Sequence, residues 1–216
     1  MPQSRAINVP KHSLTRWNKF HDCDSTAELT VSGASAAYDA VAGHPGVLAI
    51  TSATAQYSQS RLAWGASATV RPFNIDNFER LTWVFKYDSI TDVAGWFGFY
   101  GSTSGSTGDQ NQTNSIVSYI SGSALTFRVN NAATSSATTS VTIAADTWYK
   151  FDIVRNSATS VSLWVNDVLA ATITTGVPSG AVCGVGGRLM TLANPGAKVW
   201  SMDSIYIDFT NPTARY

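Results

Sequence analysis

The sequence is short of charge, and what charge it has cancels: Asp, Glu, Lys and Arg make up 13% of the residues, with 14 basic side chains against 14 acidic ones. A chain without a basic excess lacks the electrostatic footprint that nucleic-acid binding needs, so nucleic acid is not an expected partner. Glutamate is scarcer still, since Glu28 and Glu79 are the only two. Cys23 and Cys183 are too few for a disulfide framework, and His12, His21 and His44 are too scattered to complete a zinc cluster with them. The cysteines are expected to be reduced, partly buried thiols, and no metal or cofactor is expected. No run approaches 18 apolar residues, and the opening MPQSRAINVPKHSLTRWNKF holds no apolar stretch of signal-peptide length. Membrane insertion is therefore not expected, and the chain is expected to be made in the cytosol.

What is present is apolar and punctuated. Hydrophobic types reach 44% of 216 residues, enough for a sizeable core in one all-β domain. From about residue 47, short alternating runs are separated by Gly, Ser, Thr, Asn and Asp clusters, the punctuation of an antiparallel sandwich. In 80–88, Leu81, Trp83, Phe85 and Tyr87 share one face and Thr82, Val84 and Lys86 the other. Tyr149, Phe151 and Ile153, and then Val161, Leu163 and Val165, repeat the pattern, with Trp164 on the wetter side. Asn166-Asp167 suits a tight turn into a strand over 169–174. Further strands are expected at 47–51, 68–73, 95–101, 115–120, 124–130, 140–143 and 198–209. In the last, the apolar face switches around Asp203-Ser204, which predicts a β-bulge. The polar stretches 101–113 and 131–139 read as surface loops.

Residues 1–20 differ from the rest: Arg5, Lys11, Arg16 and Lys19 lie there and no acid precedes Asp22. They are expected to form an extended arm, with Trp17 and Phe20 as apolar anchors, that packs on another subunit, and 21–216 a single domain. A neutral, weakly charged surface gives little colloidal repulsion, which favours an assembly.

The segment DTWYKFDIVRNSATSVSLWVNDVLAATITTGVP (146–178) resembles the central hairpin region of concanavalin A-like, laminin-G-type jelly rolls. GHPGVLAITS (43–52), WFGFYGS (96–102) and SMDSIYIDF (201–209) resemble the same family as it occurs in bacteriophage head-decoration and tail proteins. The resemblance implies an all-β, two-sheet antiparallel jelly-roll sandwich. It further implies a virion component, a homo-oligomer with a trimer as the expected form, in contact with other virion proteins and assembled in the host cytoplasm.

The residues leave little room for catalysis. Glycoside hydrolysis needs two carboxylates flanking the bond, yet neither glutamate lies in the E-x-D-x-x-E strand of jelly-roll glucanases, and Asp203 and Asp208 are five positions apart. The Arg-x-Glu and Gln-x-His strands of jelly-roll alginate lyases are missing too. The run His21, Asp22, Cys23, Asp24 places at most two side chains on one face if extended, too few for a metal. Sugar binding by stacking on a ring is the remaining chemistry, and Trp96, Tyr100 and Trp164 are the candidate rings, placed together on one outer sheet. Asp109, Gln110 and Asn111 are the candidate polar loop contacts. The other reading of the rings is burial beneath the N-terminal segment or in a subunit interface, and burial is the expectation. The leading expectation is thus a non-enzymatic virion protein, with a carbohydrate-binding module for host glycan as the alternative and a polysaccharide-cleaving enzyme as the third reading.

Overall fold

The computed structural model describes residues 16–23, 29–32, 34–41, 44–64, 73–101, 114–131, 133–192 and 196–210. Arg5, Lys11, Asp109, Gln110 and Asn111, most of the expected strand 68–73 and most of the expected loop 101–113 lie outside the described residues. In chain order the strands are β1 (Arg16–His21), β2 (Leu29–Ser32), β3 (Ala34–Val41), β4 (His44–Ser52), β5 (Gln59–Trp64), β6 (Phe73–Asn74), β7 (Phe78–Tyr87) and β8 (Val93–Tyr100). They continue with β9 (Ser115–Ser121), β10 (Ala124–Asn131), β11 (Ala133–Thr142), β12 (Tyr149–Ser157), β13 (Ser160–Val165), β14 (Val168–Ile173), β15 (Val182–Thr191) and β16 (Val199–Thr210). A single 3-10 turn, Ile75–Asn77, links β6 to β7.

These strands build two eight-stranded antiparallel sheets. The first runs β14-β13-β12-β7-β16-β4-β3, and the second β11-β10-β9-β8-β15-β5-β2, with β6 beside β15. In the first, β16 is long enough to hold two partners on one edge: Val199 to Met202 pair with β4, and Ile205 to Thr210 pair with β1. The expected two-sheet sandwich is therefore present.

Period-2 alternation places the core as expected. Leu81, Trp83, Phe85, Phe151, Ile153 and Leu163 are all buried between the sheets. Aromatic rings join the layers: Trp83 meets Phe97 of the second sheet at 4.9 Å and Phe151 of its own sheet edge-on at 5.3 Å. Phe78 meets Phe99 across the sandwich at 4.3 Å. The apolar switch in β16 is resolved as expected, by a register shift between Met202 and Ser204 that leaves Asp203 in a bulge. The turn between β13 and β14 has Asn166 at φ 49° and Asp167 at φ 65°, the left-handed pair that a two-residue hairpin requires.

Three expectations need correction. Arg16–His21, whose first five residues were assigned to an arm, form a strand of the sandwich paired with β16 from Arg16↔Thr210 to His21↔Ile205. The physical reason is the end of that strand: His21 is buried with its ring edge-on to Trp64 of the second sheet at 5.9 Å, and its Nδ1 accepts the Cys23 N–H at 2.9 Å. Arg16, Trp17, Lys19 and Phe20 thus belong to a sheet, with Phe20 half exposed. The stretch 131–139, read as a loop, belongs mostly to β11, which pairs with β10 through Ala133↔Asn131 to Thr142↔Ala124. Ala, Ser and Thr show no apolar alternation there because an edge strand has little to bury. Finally, β15 (VCGVGGRLMT) was not anticipated, since glycines read as a break, yet it is a central strand buried at every position but Val182.

Neither cysteine forms a disulfide and both are buried, in line with the expected thiols. Burial pushes the Cys183 thiol up to about 12, with Asp76 acting in the same sense. A folded-state value above the unfolded one means a contribution present at neutral pH and lost as pH rises through the ordinary thiol range toward 12. Two outcomes follow. In native protein at pH 8, Cys183 should resist iodoacetamide and become labelled only in denaturant, as read by peptide mass spectrometry. Phe85→Ala and Phe151→Ala should each cost about 3–5 kcal/mol in urea unfolding, because each empties a ring-sized volume between the sheets.

Candidate functional site

Strand parity decides what each sheet shows on its outer side. In β8, Phe97 and Phe99 point into the core, so Trp96, Gly98 and Tyr100 must point out. Cross-strand register then assembles a row over four strands of the second sheet: Arg61 on β5 opposite Arg188 on β15, Arg188 opposite Trp96 on β8, and Trp96 opposite Tyr119 on β9. The next row is made of small residues and one arginine: Ala63, Gly186, Gly98, Val117 and Arg128. Beyond it lie Tyr100 and, on β9 and β10, Ser115 opposite Asn130.

The small row lets the large side chains close over it. Trp96 and Tyr100 flank Gly98 and meet edge-on at 5.8 Å. The Tyr100 ring also lies over Gly184, where an added Cβ would stand 2.7 Å from it. Arg128 stacks on Tyr119, its guanidinium carbon 3.9 Å from the ring centroid. Burial lowers the Arg128 pKa, and Tyr119 acts in the opposite sense. Trp96, Tyr100, Tyr119, Val117, Ala63, Ala94 and Met190 thus make a second apolar cluster, separate from the inter-sheet core.

Trp96 Nε1 of this cluster, and Ser115 Oγ on the same outer face, lack hydrogen-bond partners among the described residues. Each buried orphan costs about 1–3 kcal/mol, a cost that a hydroxyl-bearing ligand removes. Among its described residues this outer face carries no carboxylate, so these residues supply no carboxylate pair of the kind that glycoside hydrolysis uses.

The expected grouping of Trp96, Tyr100 and Trp164 is only partly met. Trp96 and Tyr100 share the face just described and are buried, as expected, at 7% and 1% exposure. Trp164 lies on the opposite side of the molecule. Its strand β13 hairpins onto β12, which places it on the first sheet, in a row with Asp152, Thr82, Tyr206 and the half-exposed Phe20. Tyr119, Arg61, Arg128 and Arg188 were not anticipated. The alternation of Leu125, Phe127 and Val129 did mark Arg128 as outward, whereas the glycines around Arg188 hid its strand.

The first sheet's outer face also holds a cleft of about 640 Å³ lined by Asp76, Glu79, Arg80, Arg155, Asn156 and Asp208, with Phe78, Val154, Ser157 and Thr210. Of its acids, Asp76 holds the turn before β7 and Glu79 ties β7 to β16. Asp76 accepts the Gly180 N–H at 2.6 Å and pairs with Arg155, which also donates to the Ile75 carbonyl at 2.8 Å. Glu79 accepts from the Thr210 hydroxyl at 2.7 Å. Asp203 is placed elsewhere, 3.2 Å from His44 Nδ1, and His44 stacks on Trp148 at 4.1 Å. Five residues of strand separate Asp203 from Asp208 by roughly 16 Å, beyond the roughly 5–9.5 Å that glycosidase pairs span. In the run His21–Asp24, His21 and Cys23 are buried and Asp22 is exposed, while Asp24 lies outside the described residues. No group of three or more metal-ligating side chains occurs among the described residues. No described helix is long and apolar enough to cross a membrane.

The topology and packed core define a two-sheet antiparallel jelly-roll sandwich. More particularly, the chain belongs to the SO2946-like family, residues 43–208 matching the model of that family's C-terminal domain. The protein of unknown function SO2946 from Shewanella oneidensis MR-1 shares the fold with a TM-score of 0.69 at 15% identity, over 100% of this chain and 99% of that one. The carbohydrate recognition domain of Emp47p does so with a TM-score of 0.61 at 11% identity, over 93% and 96%. A conserved carbohydrate esterase of the Shiga toxin-encoding bacteriophage phi24B gives 0.57 at 13% identity, over 92% and 99%. No curated protein matches this chain in sequence.

Gly98 is the position on which this arrangement is least tolerant. Its φ is 151°, and an added Cβ would stand 2.2 Å from the Ile116 carbonyl oxygen, a backbone atom that cannot step aside. Gly98→Ala should therefore destabilise the protein by at least about 2 kcal/mol. Urea unfolding checks this, and near-ultraviolet circular dichroism of Trp96 should change with it.

Proposed function

We propose that this protein binds carbohydrate without cleaving it, and that the saccharide seats on the outer face of the second sheet against Trp96 and Tyr119. The observation that carries the reading is the conjunction of packed rings with two buried donors that lack hydrogen-bond partners among the described residues: Trp96 Nε1 within the aromatic cluster and Ser115 Oγ on the same outer face, where no described residue is a carboxylate. Rings take the apolar face of a pyranose, while Trp96 Nε1, Ser115, Asn130 and the arginines take its hydroxyls. With Trp96 and Tyr119 each 7% exposed, the face has to open for a sugar to stack there. The fold likeness to the Emp47p carbohydrate recognition domain supports binding, and the likeness to a phage carbohydrate esterase keeps hydrolysis as the competing chemistry.

A second reading concerns where such a module works. The fold likeness to a bacteriophage protein is compatible with a virion component, while the homo-oligomer, such as a trimer, in contact with other virion proteins is carried by the sequence resemblance alone. The two readings are compatible if the particle binds host glycan.

Titration with a saccharide panel, followed by tryptophan fluorescence and calorimetry, tests the first reading. Binding is expected, with Trp96→Phe and Tyr119→Ala each weakening it by about 1–3 kcal/mol and Trp164→Ala leaving it unchanged. No reducing ends should be released, by wild type or by Glu79→Gln and Asp208→Asn variants. Loss of binding in Trp164→Ala alone moves the site to the first sheet; release of reducing ends that Glu79→Gln abolishes makes the protein an enzyme.

A further inference from the structure

We infer that residues 1–15 of one copy dock in the cleft on the first sheet of a second copy, with Arg5 seated on the Asp208 carboxylate. The inference rests on the homo-oligomer reading and names the contact that holds the copies together. Three acids and two arginines line the cleft of about 640 Å³. Arg155 is engaged inside the turn, by Asp76 and by the Ile75 and Ala158 carbonyls. Arg80 stands directly opposite Asp208 on the neighbouring strand, yet its Nε lies 3.9 Å from the buried Asp152. Asp208 is left half-buried, with no hydrogen bond or ion pair among the described residues. Partial burial makes an uncompensated charge costly, and a cation arriving from outside removes that cost. Glu79 adds a second acid. The ladder steps from Arg80↔Asp208 to Phe78↔Phe209, so Glu79 is the extra residue of a bulge, on the wall of the same cleft.

The rest of the lining narrows the choice of occupant. Its one ring, Phe78, is buried at 1% exposure, so a sugar finds no stacking surface there. A metal ion finds no group of three ligating side chains among the described residues. Val154, in one row with Arg80 and Asp208, offers an apolar spot, and Asn156, Ser157 and Thr210 offer hydrogen bonds. Such a lining suits a polypeptide that carries cations. Residues 1–15, which lie outside the described residues, contain Arg5 and Lys11 and no acid. In an extended chain Ile7 and Val9 share a side with Arg5, which sets apolar groups beside the cation. The segment joins the fold at Arg16, opposite Thr210 on the rim of the cleft. Direction selects a second copy over the chain's own cleft. The line of β1, continued backward through Arg16, leads off the sheet, and between Pro10 and Arg16 only Ser13 has a turn preference, a weak one. The first glycine is Gly33. An extended run from Arg16 reaches roughly 20 Å at Pro10 and roughly 36 Å at Arg5, past the rim of its own cleft and far enough to enter a copy packed alongside.

Sedimentation velocity on the full chain, over a wide range of concentration, reads the assembly. An oligomer is expected, and removal of residues 1–15 should leave a folded monomer. Arg5→Asp and Asp208→Arg should each weaken assembly at least about tenfold, and the two together should restore it, because the pair is then the same with its signs exchanged. The melting profile of the monomer should not change, since Asp208 makes no polar contact among the described residues. In a variant carrying Ala6→Cys and Ser157→Cys, oxidation should link different chains, as read by non-reducing electrophoresis. An oligomer indifferent to both charge reversals overturns the inference and leaves the homo-oligomer reading standing. Weakening by only one of the two reversals also overturns it, because Arg5 and Asp208 are then not partners. A disulfide formed only within one chain overturns it as well, the segment then lying in its own cleft. If the wild-type chain is a monomer at every concentration, the inference and the homo-oligomer reading both fall.

Discussion

The outward groups of the second sheet's central strands take their direction from two ring contacts across the sandwich, Trp83 with Phe97 and Phe78 with Phe99. A strand has only two sides, so pinning Phe97 and Phe99 inward leaves Trp96, Gly98 and Tyr100 no alternative to the outer face. Backbone pairing passes that choice on: β15 and β9 must turn Arg188 and Tyr119 the same way as Trp96. A one-residue slip of β8 would bury the tryptophan between the sheets and strand two phenylalanines outside. The core, apart from holding the protein together, therefore acts as the alignment device of a surface that it does not touch.

The two outer faces solve the placement of charge differently. The first sheet neutralises its charges in short local pairs, one of them, Lys150 with Asp167, beside the β13–β14 turn. Exposed pairs of this type contribute little to stability. The second sheet concentrates guanidinium groups among rings, where the medium is less polar and each charge is felt more strongly. Low overall charge is what makes that contrast legible, since few other charges blur it.

Much of the architecture could be read from the chain because alternation is strong wherever one side of a strand is buried. Leu81, Trp83 and Phe85, the Asn166-Asp167 turn and the bulge at Asp203 all follow from side-chain period and turn chemistry. What escaped detection had no such signal. β11 is an edge strand of Ala, Ser and Thr, for which being a strand and being a loop look alike in composition. β15 is central, yet its glycines, required for close approach to the Leu62 carbonyl and to the Trp96 carbonyl, are the residues that sequence reading takes as punctuation. The candidate site was half legible for the same reason: Trp96 and Tyr100 stand out as rings in a clear strand, while Arg188 is hidden in the glycine-rich one. Trp164 was assigned correctly to the outer side of its strand but to the wrong sheet, since parity gives a side and only pairing partners give a layer.

The pairing of β1 with β16 also has a mechanical meaning. Arg16 lies opposite Thr210 and His21 opposite Ile205, so the free ends of the two strands leave the sheet at the same edge. A force pulling those ends apart loads the hydrogen bonds one after another, as a zipper is opened, instead of shearing all of them at once. β1 would peel away first, and the β16–β7 ladder behind it would bear load only afterwards. A pull on both ends would thus release the six residues of β1 first and leave the second sheet in place.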